Sequence, residues 1–192
     1  KSLYLNDLTG EGFVSTTNGS IWFVDWEMET TLRINSFHSN TAPISEFGFK
    51  HISPGEFEIG EKTGDELGYE FDKNYYVVSS SDDGILKMWN MHTSEQIMQI
   101  VVPKEKCTAL SVHQFKPYVV AAFSDGYIRF FKTDNMNSSL GRCMVSEDDY
   151  IVDLKVMPSG NHILAASSLG LVIIIFVERW EPLAIRIETL AC

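Results

Sequence analysis

A turn-like segment that ends in glycine recurs four times in the chain, and each copy is followed by an apolar run. The four copies are STTNG (15–19), SSDDG (80–84), AFSDG (122–126) and ASSLG (166–170). Their glycines are 65, 42 and 44 residues apart. A fixed period of about 20–50 residues indicates a repeat architecture, in which each repeat is one supersecondary unit that stacks on the next. The repeat therefore limits the chain to folds that are built from stacked copies of one unit.

An insertion accounts for the one long spacing. Residues 52–73 read ISPGEFEIGEKTGDELGYEFDK and carry four glycines and seven carboxylates against two lysines. Without these 22 residues the first spacing becomes 43, close to the other two. A period of about 40–45 residues is typical of propeller blades with four strands.

Each repeat divides into four short segments rich in β-branched and aromatic residues, which is the pattern of strands. In chain order the predicted strands are 3–6, 12–16, 21–25, 30–36, 44–49, 75–80, 85–90, 96–101, 109–114, 119–123, 127–131, 140–145, 151–157, 162–166, 171–177 and 183–188. No long stretch shows the periodicity of a helix. We therefore predict an all-β chain that forms a β-propeller of four blades, each with four antiparallel strands.

The recurring turns have the residues of tight β-hairpins. A two-residue hairpin turn needs positive φ, which glycine and asparagine tolerate well. Asn18-Gly19, Asp83-Gly84 and Asp125-Gly126 fit this requirement. Leu169-Gly170 fits it less well, because leucine gains nothing from positive φ, and we expect the fourth hairpin to be the least regular.

The best-preserved copy, DDGILKMWN (82–90), resembles the closing signature of a WD40 repeat, with Trp89-Asn90 at the Trp-Asp position. The first repeat keeps the acidic residue in Val24-Asp25, and the third and fourth repeats keep neither member. The resemblance implies a structural hydrogen-bond network in the second repeat. Its members are His38, Ser79 or Ser81, Asp83 and Trp89. The third and fourth repeats lack the histidine, and there we expect the blades to rest on apolar packing alone.

Three segments carry a closer resemblance: GSIWFVDWEMETT (19–31), VSSSDDGILKMWNMHTSEQIMQI (78–100) and AAFSDGYIRFF (121–131). They most resemble the large WD-repeat proteins of the centriolar and ciliary microtubule wall. The resemblance implies a non-catalytic protein–protein interaction scaffold in a microtubule-associated assembly. It implies a location in the cytoplasm and cytoskeleton, at the cilium axoneme, basal body or centriole. The implied partners are other proteins of that assembly, with tubulin and ciliary or centriolar structural proteins among them.

The alternative function is a cytosolic WD40 adaptor, such as a ubiquitin-ligase substrate receptor or a trafficking scaffold. In either case the charge limits the partners. The net charge is -11, from 26 acidic and 15 basic residues. This charge argues against nucleic acid, whose phosphates require a basic surface, and against an anionic membrane.

The cysteines and the apolar run also exclude some classes of protein. Cys107, Cys143 and Cys192 form neither a CxxC pair nor a zinc spacing, and three thiols fit a reducing compartment. The longest apolar run, 169–177, is too short to span a bilayer. We predict that it forms a strand buried on both sides.

The sequence predicts neither a catalytic residue nor a metal or other cofactor. His38, Asp83 and a nearby serine could suggest a triad, but their positions coincide with the repeat and no nucleophile elbow accompanies them. The carboxylates of the insertion do not have the spacing of an EF-hand loop. A solvated acidic loop is the simpler interpretation of the insertion, and a docking element for a basic partner is the functional one.

Six residues are the candidates for partner binding. Five belong to the insertion, and the sixth is a tryptophan in the connection between two strands: Glu56, Glu58, Glu61, Asp65, Glu66 and Trp180. Trp180 is a candidate because exposed aromatic residues are enriched at binding hot spots. Packing of this tryptophan on a neighbouring blade is an equally good interpretation.

Four blades are too few for the ring that this signature forms. Propellers close with about four to eight blades, and the WD40 signature commonly goes with about seven. Four blades with the tilt of a seven-blade ring form an open arc, which exposes strand edges and apolar faces. We therefore expect an incomplete ring or a fragment of a larger propeller, with the remaining blades supplied by the parent chain or by another chain. The expected organisation is one partial propeller, 1–192, with blades at about 1–37, 38–102, 103–146 and 147–192.

Overall fold

The structure is a computed structural model. It describes residues 3–6, 11–17, 20–26, 29–34, 44–51, 75–90, 95–113, 116–133, 139–145 and 148–190. Within these ranges the chain forms sixteen strands. None of the same residues belongs to a helix that is long and apolar enough to cross a membrane.

The strands form four antiparallel sheets of four strands each, and in every sheet the strands follow chain order. The first sheet comprises β1 (Leu3–Asn6), β2 (Glu11–Ser15), β3 (Ile21–Asp25) and β4 (Thr30–Ile34). The second comprises β5 (Ile44–His51), β6 (Tyr75–Ser81), β7 (Ile85–Asn90) and β8 (Gln96–Val101). The third comprises β9 (Cys107–Val112), β10 (Tyr118–Phe123), β11 (Tyr127–Lys132) and β12 (Ser139–Met144). The fourth comprises β13 (Ile151–Val156), β14 (His162–Ser167), β15 (Val172–Arg179) and β16 (Ala184–Leu190).

The sixteen predicted strands are present, and their ends differ from the predicted ends by at most two residues. The prediction of an all-β chain with four four-stranded units is thus confirmed. It succeeded because hairpin meanders are local: each strand pairs with the next along the chain, so the turn signals fix the order.

The sheets meet mainly through their first strands. Strand β9 contacts both β5 and β13, and β1 contacts β5. Because each first strand is the one closest to the neighbouring sheets, the four sheets radiate outwards from one inner side. This is the arrangement of blades in a propeller.

Two apolar cores hold the second, third and fourth sheets together. The third sheet lies between them, and all six residues of β10 are buried. Val119, Ala121 and Phe123 belong to the core shared with the second sheet, whereas Val120 and Ala122 belong to the core shared with the fourth. Alternate residues of one strand point to opposite faces, so β10 joins both cores.

The fourth sheet is covered on one face only. Ile173, Ile175 and Val177 of β15 are buried against the third sheet, whereas the residues that alternate with them are half-buried. The prediction that the run 169–177 is buried on both sides is therefore wrong in this structure. The physical reason is that no described sheet follows the fourth one.

Two thiols are sheltered by the same cores. Cys107 is buried, and partial burial of Cys143 against the core of the third and fourth sheets raises the pKa of its thiol to about 11. The thiolate is the reactive form of cysteine. We therefore expect Cys143 to be alkylated at pH 8 about a hundredfold more slowly in the native chain than in urea. Mass spectrometry of a Cys192→Ser variant treated with iodoacetamide measures this rate, and equal rates with and without urea would contradict the burial.

Candidate functional site

The β6–β7 hairpin of the second sheet holds most of the predicted hydrogen-bond network. The Trp89 indole Nε1–H donates to Ser79 Oγ at 3.1 Å, and this serine is fully buried. The Ser81 hydroxyl donates to Asp83 Oδ1, which also accepts the backbone N–H of Ile85 at 3.2 Å. These contacts join Ser79 with Trp89 and Ser81 with Asp83. His38, its fifth predicted member, lies outside the described residues.

The turns are closed differently from the prediction. In each described copy the glycine N–H donates to the backbone oxygen three residues earlier: Gly84 to Ser81, Gly126 to Phe123 and Gly170 to Ser167. Only the glycine has positive φ (75°, 76° and 86°), and neither Asp83, Asp125 nor Leu169 does. A three-residue loop with glycine in the left-handed region has this geometry. Leu169 is therefore tolerated, and the expectation that the fourth hairpin is the least regular is not met.

The hairpin turn of the second sheet is bonded to the loop that leads to the third sheet. We call such a set of polar contacts between a turn and an adjacent loop a clasp. Gly84 O accepts the backbone N–H of Val102 at 2.9 Å, and Lys106 Nζ lies 3.1 Å from Asp82 Oδ2. A Cβ atom at position 84 would lie only 2.2 Å from Glu105 O. Glycine is required here both by the close approach of the loop backbone and by the positive φ.

A second clasp joins the β10–β11 turn to the same loop. The Ser124 hydroxyl donates to Glu105 Oε2 at 2.9 Å and accepts the backbone N–H of Lys106 at 2.9 Å. The Ser124 N–H donates to Lys106 O at 2.8 Å. One serine thus satisfies three polar groups and fixes the turn on the loop.

Next to Ser124, the turn is stiffened by an ion pair. Asp125 accepts hydrogen bonds from Arg129 on both carboxylate oxygens, and Tyr127 N–H donates to Asp125 Oδ1 at 3.2 Å. The hydrogen bond from Arg129 is the main reason that the pKa of Asp125 lies below its usual value. The Arg129 guanidinium also lies 4.7 Å from the ring centre of Phe123, a cation–π contact.

The fourth sheet has the same clasp, again with a serine on the turn and a carboxylate on the loop. Asp149, which precedes β13, accepts hydrogen bonds from the Ser168 hydroxyl at 2.6 Å and from Tyr150 N–H at 2.8 Å. Ser168 N–H donates to Tyr150 O at 2.9 Å. Burial favours a raised pKa of Asp149, but the hydrogen bonds from Ser167, Ser168 and nearby backbone amides outweigh it and lower the pKa.

The expectation that the third and fourth blades rest on apolar packing alone is therefore wrong. A polar clasp is present in both, but its residues do not match the histidine signature. Ser124 and Ser168 occupy the same place before the turn glycine, and this repeated serine is the signal in the sequence that could have revealed the clasp.

The Asp149 clasp predicts a pH dependence of stability. A carboxylate whose pKa is lowered by folding stabilises the fold fully when the pH is above its pKa in the unfolded chain, about 3.9. This contribution is lost as the pH falls through the lower pKa of the folded chain. We expect the urea midpoint to fall between about pH 4 and pH 2, and to fall less in an Asp149→Asn variant. A Glu178→Gln variant is the control and should keep the wild-type profile. Parallel profiles of wild type and Asp149→Asn would refute the contribution of Asp149.

Trp180 is buried, at 5% exposed, and not on the surface. Its ring stacks on Tyr118 of the third sheet with ring centres 4.5 Å apart and an angle of 6° between the planes. Its Nε1–H donates to Gly160 O at 3.1 Å. The prediction of an exposed aromatic anchor is thus wrong, and the alternative, packing on a neighbouring blade, is the observed arrangement.

A polar bridge lies beside this tryptophan. Tyr118 Oη donates to Glu181 Oε1 at 2.7 Å, and Lys132 Nζ lies 3.0 Å from the same oxygen. The hydrogen bond from Tyr118, followed by that from Lys132, lowers the pKa of Glu181. The bridge links the third and fourth sheets at the end opposite the hairpin turns.

The strand residues that flank the acidic insertion are neighbours in the second sheet. His51, the last residue of β5, pairs with Tyr75, the first residue of β6. The sheet therefore closes directly across the ends of the insertion. Its five candidate carboxylates lie outside the described residues: Glu56, Glu58, Glu61, Asp65 and Glu66.

The described part of the chain contains no cluster of three or more His, Cys, Asp or Glu residues that could hold a metal ion. The polar groups found at the turns are instead joined to one another and to backbone amides. These contacts hold the loops and turns in fixed positions at the edge of the sheets.

Comparison with known proteins agrees with this architecture. Residues 70–90, which include the β6–β7 hairpin, match the family model described as "WD domain, G-beta repeat". The chain is similar to WD repeat-containing protein 90 of Xenopus tropicalis, with 24% identity over 141 residues that cover 68% of this chain. It is also similar to the mouse and human proteins of that name, with 27% identity over 126 residues and 26% over 136 residues. The matched region spans 6% of the length of each relative.

These matches agree with the features of the molecule: the repeat of about 43 residues, the four meander sheets and the buried Ser79–Trp89 hydrogen bond. WD-repeat domains typically act as non-catalytic scaffolds for protein–protein interaction. Residues 70–90 thus match a WD40 repeat, and the four sheets are arranged as the blades of a β-propeller.

Proposed function

We propose that the chain is a non-catalytic scaffold that binds other proteins of a ciliary or centriolar, microtubule-associated assembly. The observation that carries the proposal is the set of clasped turns. Ser124, Ser168 and Gly84 fix their turns on the neighbouring loops, so that the edge of the propeller is a rigid surface. A binding surface held in one conformation loses less entropy when a partner docks.

The acidic insertion is the proposed contact for a basic partner. It carries seven of the 26 acidic residues in a chain of net charge -11, and it starts from two paired residues, His51 and Tyr75. Because the sheet closes across its ends, the insertion is not needed to form the second blade. Charge complementarity of this kind raises the association rate and selects against acidic competitors.

Replacement of residues 52–73 by a single glycine tests this contact, because it leaves a connection of two residues between the paired His51 and Tyr75, the length of a tight hairpin turn. We expect the shortened chain to keep its melting temperature within about 3 °C, since the pairing of β5 with β6 remains. We expect it to lose those partners that the intact chain retains from a ciliary extract at low salt and releases at high salt. The matched control keeps the length and replaces the seven carboxylates by their amides; it should lose the same partners. Unchanged partners in both variants would remove the insertion from the proposal.

The ciliary location is supported by the resemblance of the three repeat segments to the centriolar and ciliary WD-repeat proteins. Localisation of the tagged natural protein tests it. Signal confined to the basal body, centriole or axoneme is the expected result. A diffuse cytosolic signal would instead favour an adaptor for ubiquitin ligation or trafficking.

A further inference from the structure

Two arginines face each other on the outer strands of the third sheet. Arg129 of β11 and Arg142 of β12 are paired directly across the sheet. At the same position of the second sheet, three residues after the turn glycine, Lys87 faces the neutral Gln99. Like charges in directly opposite positions destabilise a sheet. A second arginine opposite Arg129 therefore carries a cost that the second sheet avoids.

The carboxylate of the adjacent turn is committed to the first of these arginines. Both oxygens of Asp125 accept hydrogen bonds from Arg129, whose side chain is 12% exposed. Arg142 is exposed, and no carboxylate among the described residues forms an ion pair with it. Its guanidinium carbon lies 4.5 Å from the centre of the Tyr127 ring, a cation–π contact. The ring thus holds this guanidinium at the surface.

The fourth sheet contains a similar arginine, but its own strand supplies the carboxylate. Arg186 of β16 lies over the Phe176 ring, 4.2 Å from its centre, and donates to Glu188 two residues further along the strand. On β12 the residue two positions after Arg142 is Met144, which is 40% exposed. The third sheet thus presents a cation on an aromatic ring, with an exposed apolar side chain in the place of the carboxylate.

The backbone of β12 is placed to receive a further strand. β12 is the outermost strand of its sheet and pairs with β11 alone among the described strands. Its register with β11 is regular from Gly141 to Met144. An outermost strand can pair its outward backbone groups with an extended segment of another protein. Alternate residues of an extended segment lie on one face about 7 Å apart, which is also the spacing of Arg142 and Met144 along β12.

We propose that β12 binds an extended acidic segment of a partner protein, which places a carboxylate on Arg142 and, two residues away, an apolar side chain on Met144. The carboxylate offsets the repulsion between Arg129 and Arg142. A hydrogen bond between a guanidinium and a carboxylate is also stronger than one between neutral groups. The inference rests on the proposed role as a protein-binding scaffold and adds a second surface, whose ligand is acidic where that of the insertion is basic.

The probe is a fluorescein-labelled heptapeptide in which threonine alternates with leucine, glutamate and leucine, so that it suits either strand direction. Fluorescence anisotropy measures its binding to the natural protein. We expect saturable binding, and an affinity at least about tenfold lower when glutamine replaces the glutamate. Hydrogen exchange of the amides 141–144 should slow in the complex, and that of β16 should not. Equal affinity of the two peptides, or no saturable binding of the first, would overturn the proposal.

Variants at exposed positions locate the binding without unfolding the sheet. Arg142→Gln should weaken binding at least about tenfold, and Arg142→Lys should weaken it less, since lysine keeps the charge. Met144→Glu should abolish binding, because it gives Arg142 the neighbouring carboxylate that Glu188 gives Arg186. Arg186→Gln is the matched control and should leave the affinity unchanged. Equal losses in Arg142→Gln and Arg186→Gln would contradict the proposal, because net charge alone would then explain the binding.

The variant with residues 52–73 replaced separates this surface from the acidic insertion. It should bind the heptapeptide with unchanged affinity, so its loss of ciliary partners tests the proposed function alone. Sedimentation of the natural protein without peptide tests for a second copy as the occupant. Self-association that is lost in Arg142→Gln would overturn the proposal in favour of that copy.

Discussion

A Trp180→Ala variant is expected to lose about 3–5 kcal/mol of unfolding free energy, the typical cost of truncating a buried aromatic residue. The side chain is 5% exposed, stacks on Tyr118 and donates to Gly160 O. Its removal leaves a cavity between the third and fourth sheets and an unpaired carbonyl. Urea unfolding followed by circular dichroism measures the loss.

Two control variants isolate the cause of this loss. Trp180→Phe keeps an aromatic ring but removes the N–H donor, so we expect a loss of about 1–2 kcal/mol. Trp26 is 64% exposed, and Trp26→Ala should change the stability by no more than about 0.5 kcal/mol. Equal effects of Trp180→Ala and Trp26→Ala would contradict the placement of Trp180 between two sheets.

A Gly84→Ala variant is expected to lose about 3 kcal/mol or more. The residue has a φ of 75°, which costs an L-residue about 1–2 kcal/mol, and the added Cβ would lie 2.2 and 2.3 Å from two backbone carbonyl oxygens. Backbone atoms cannot move aside as a side chain can, so the loop 102–105 must shift and its clasp with the turn must weaken.

The matched substitution is Gly170→Ala, at the same position of the fourth turn. Its φ is 86°, but nothing lies within 4 Å of the added Cβ. We expect only the conformational cost of about 1–2 kcal/mol in the 192-residue chain. Thermal unfolding of the two variants side by side checks the difference. A smaller loss for Gly84→Ala than for Gly170→Ala would show that the loop 102–105 does not cover the second turn.

The strands were predictable from the sequence because their pairing is local. The period of β-branched runs and the turn glycines fixed sixteen strands to within two residues. A network of Ser79 or Ser81 with Asp83 and Trp89 was also expected, since these positions belong to one hairpin, but the pairing of Ser81 with Asp83 was not. In each case the interacting residues are close in sequence, where spacing alone carries the information.

Contacts between sheets were not predictable in the same way. The burial of Trp180 depends on Tyr118, 62 residues away, and nothing in VERWEP shows which neighbour will cover the ring. The Asp149 clasp was missed because the family signature places a histidine in that loop, and here a carboxylate makes the equivalent bond with Ser168. The run 169–177 was expected to be buried on both sides because it is apolar throughout. That expectation was wrong because the number of sheets that pack on a strand cannot be derived from the strand's own sequence.

The central structural claim is that the third sheet is enclosed between the second and the fourth. Residue-resolved hydrogen exchange of the 192-residue chain tests that position most directly. Amides of β10, whose six residues are all buried, should exchange most slowly, and those of β16, on the uncovered edge, at least about a hundredfold faster. Exchange of β10 as fast as that of β16 would contradict the packing of the sheets as blades.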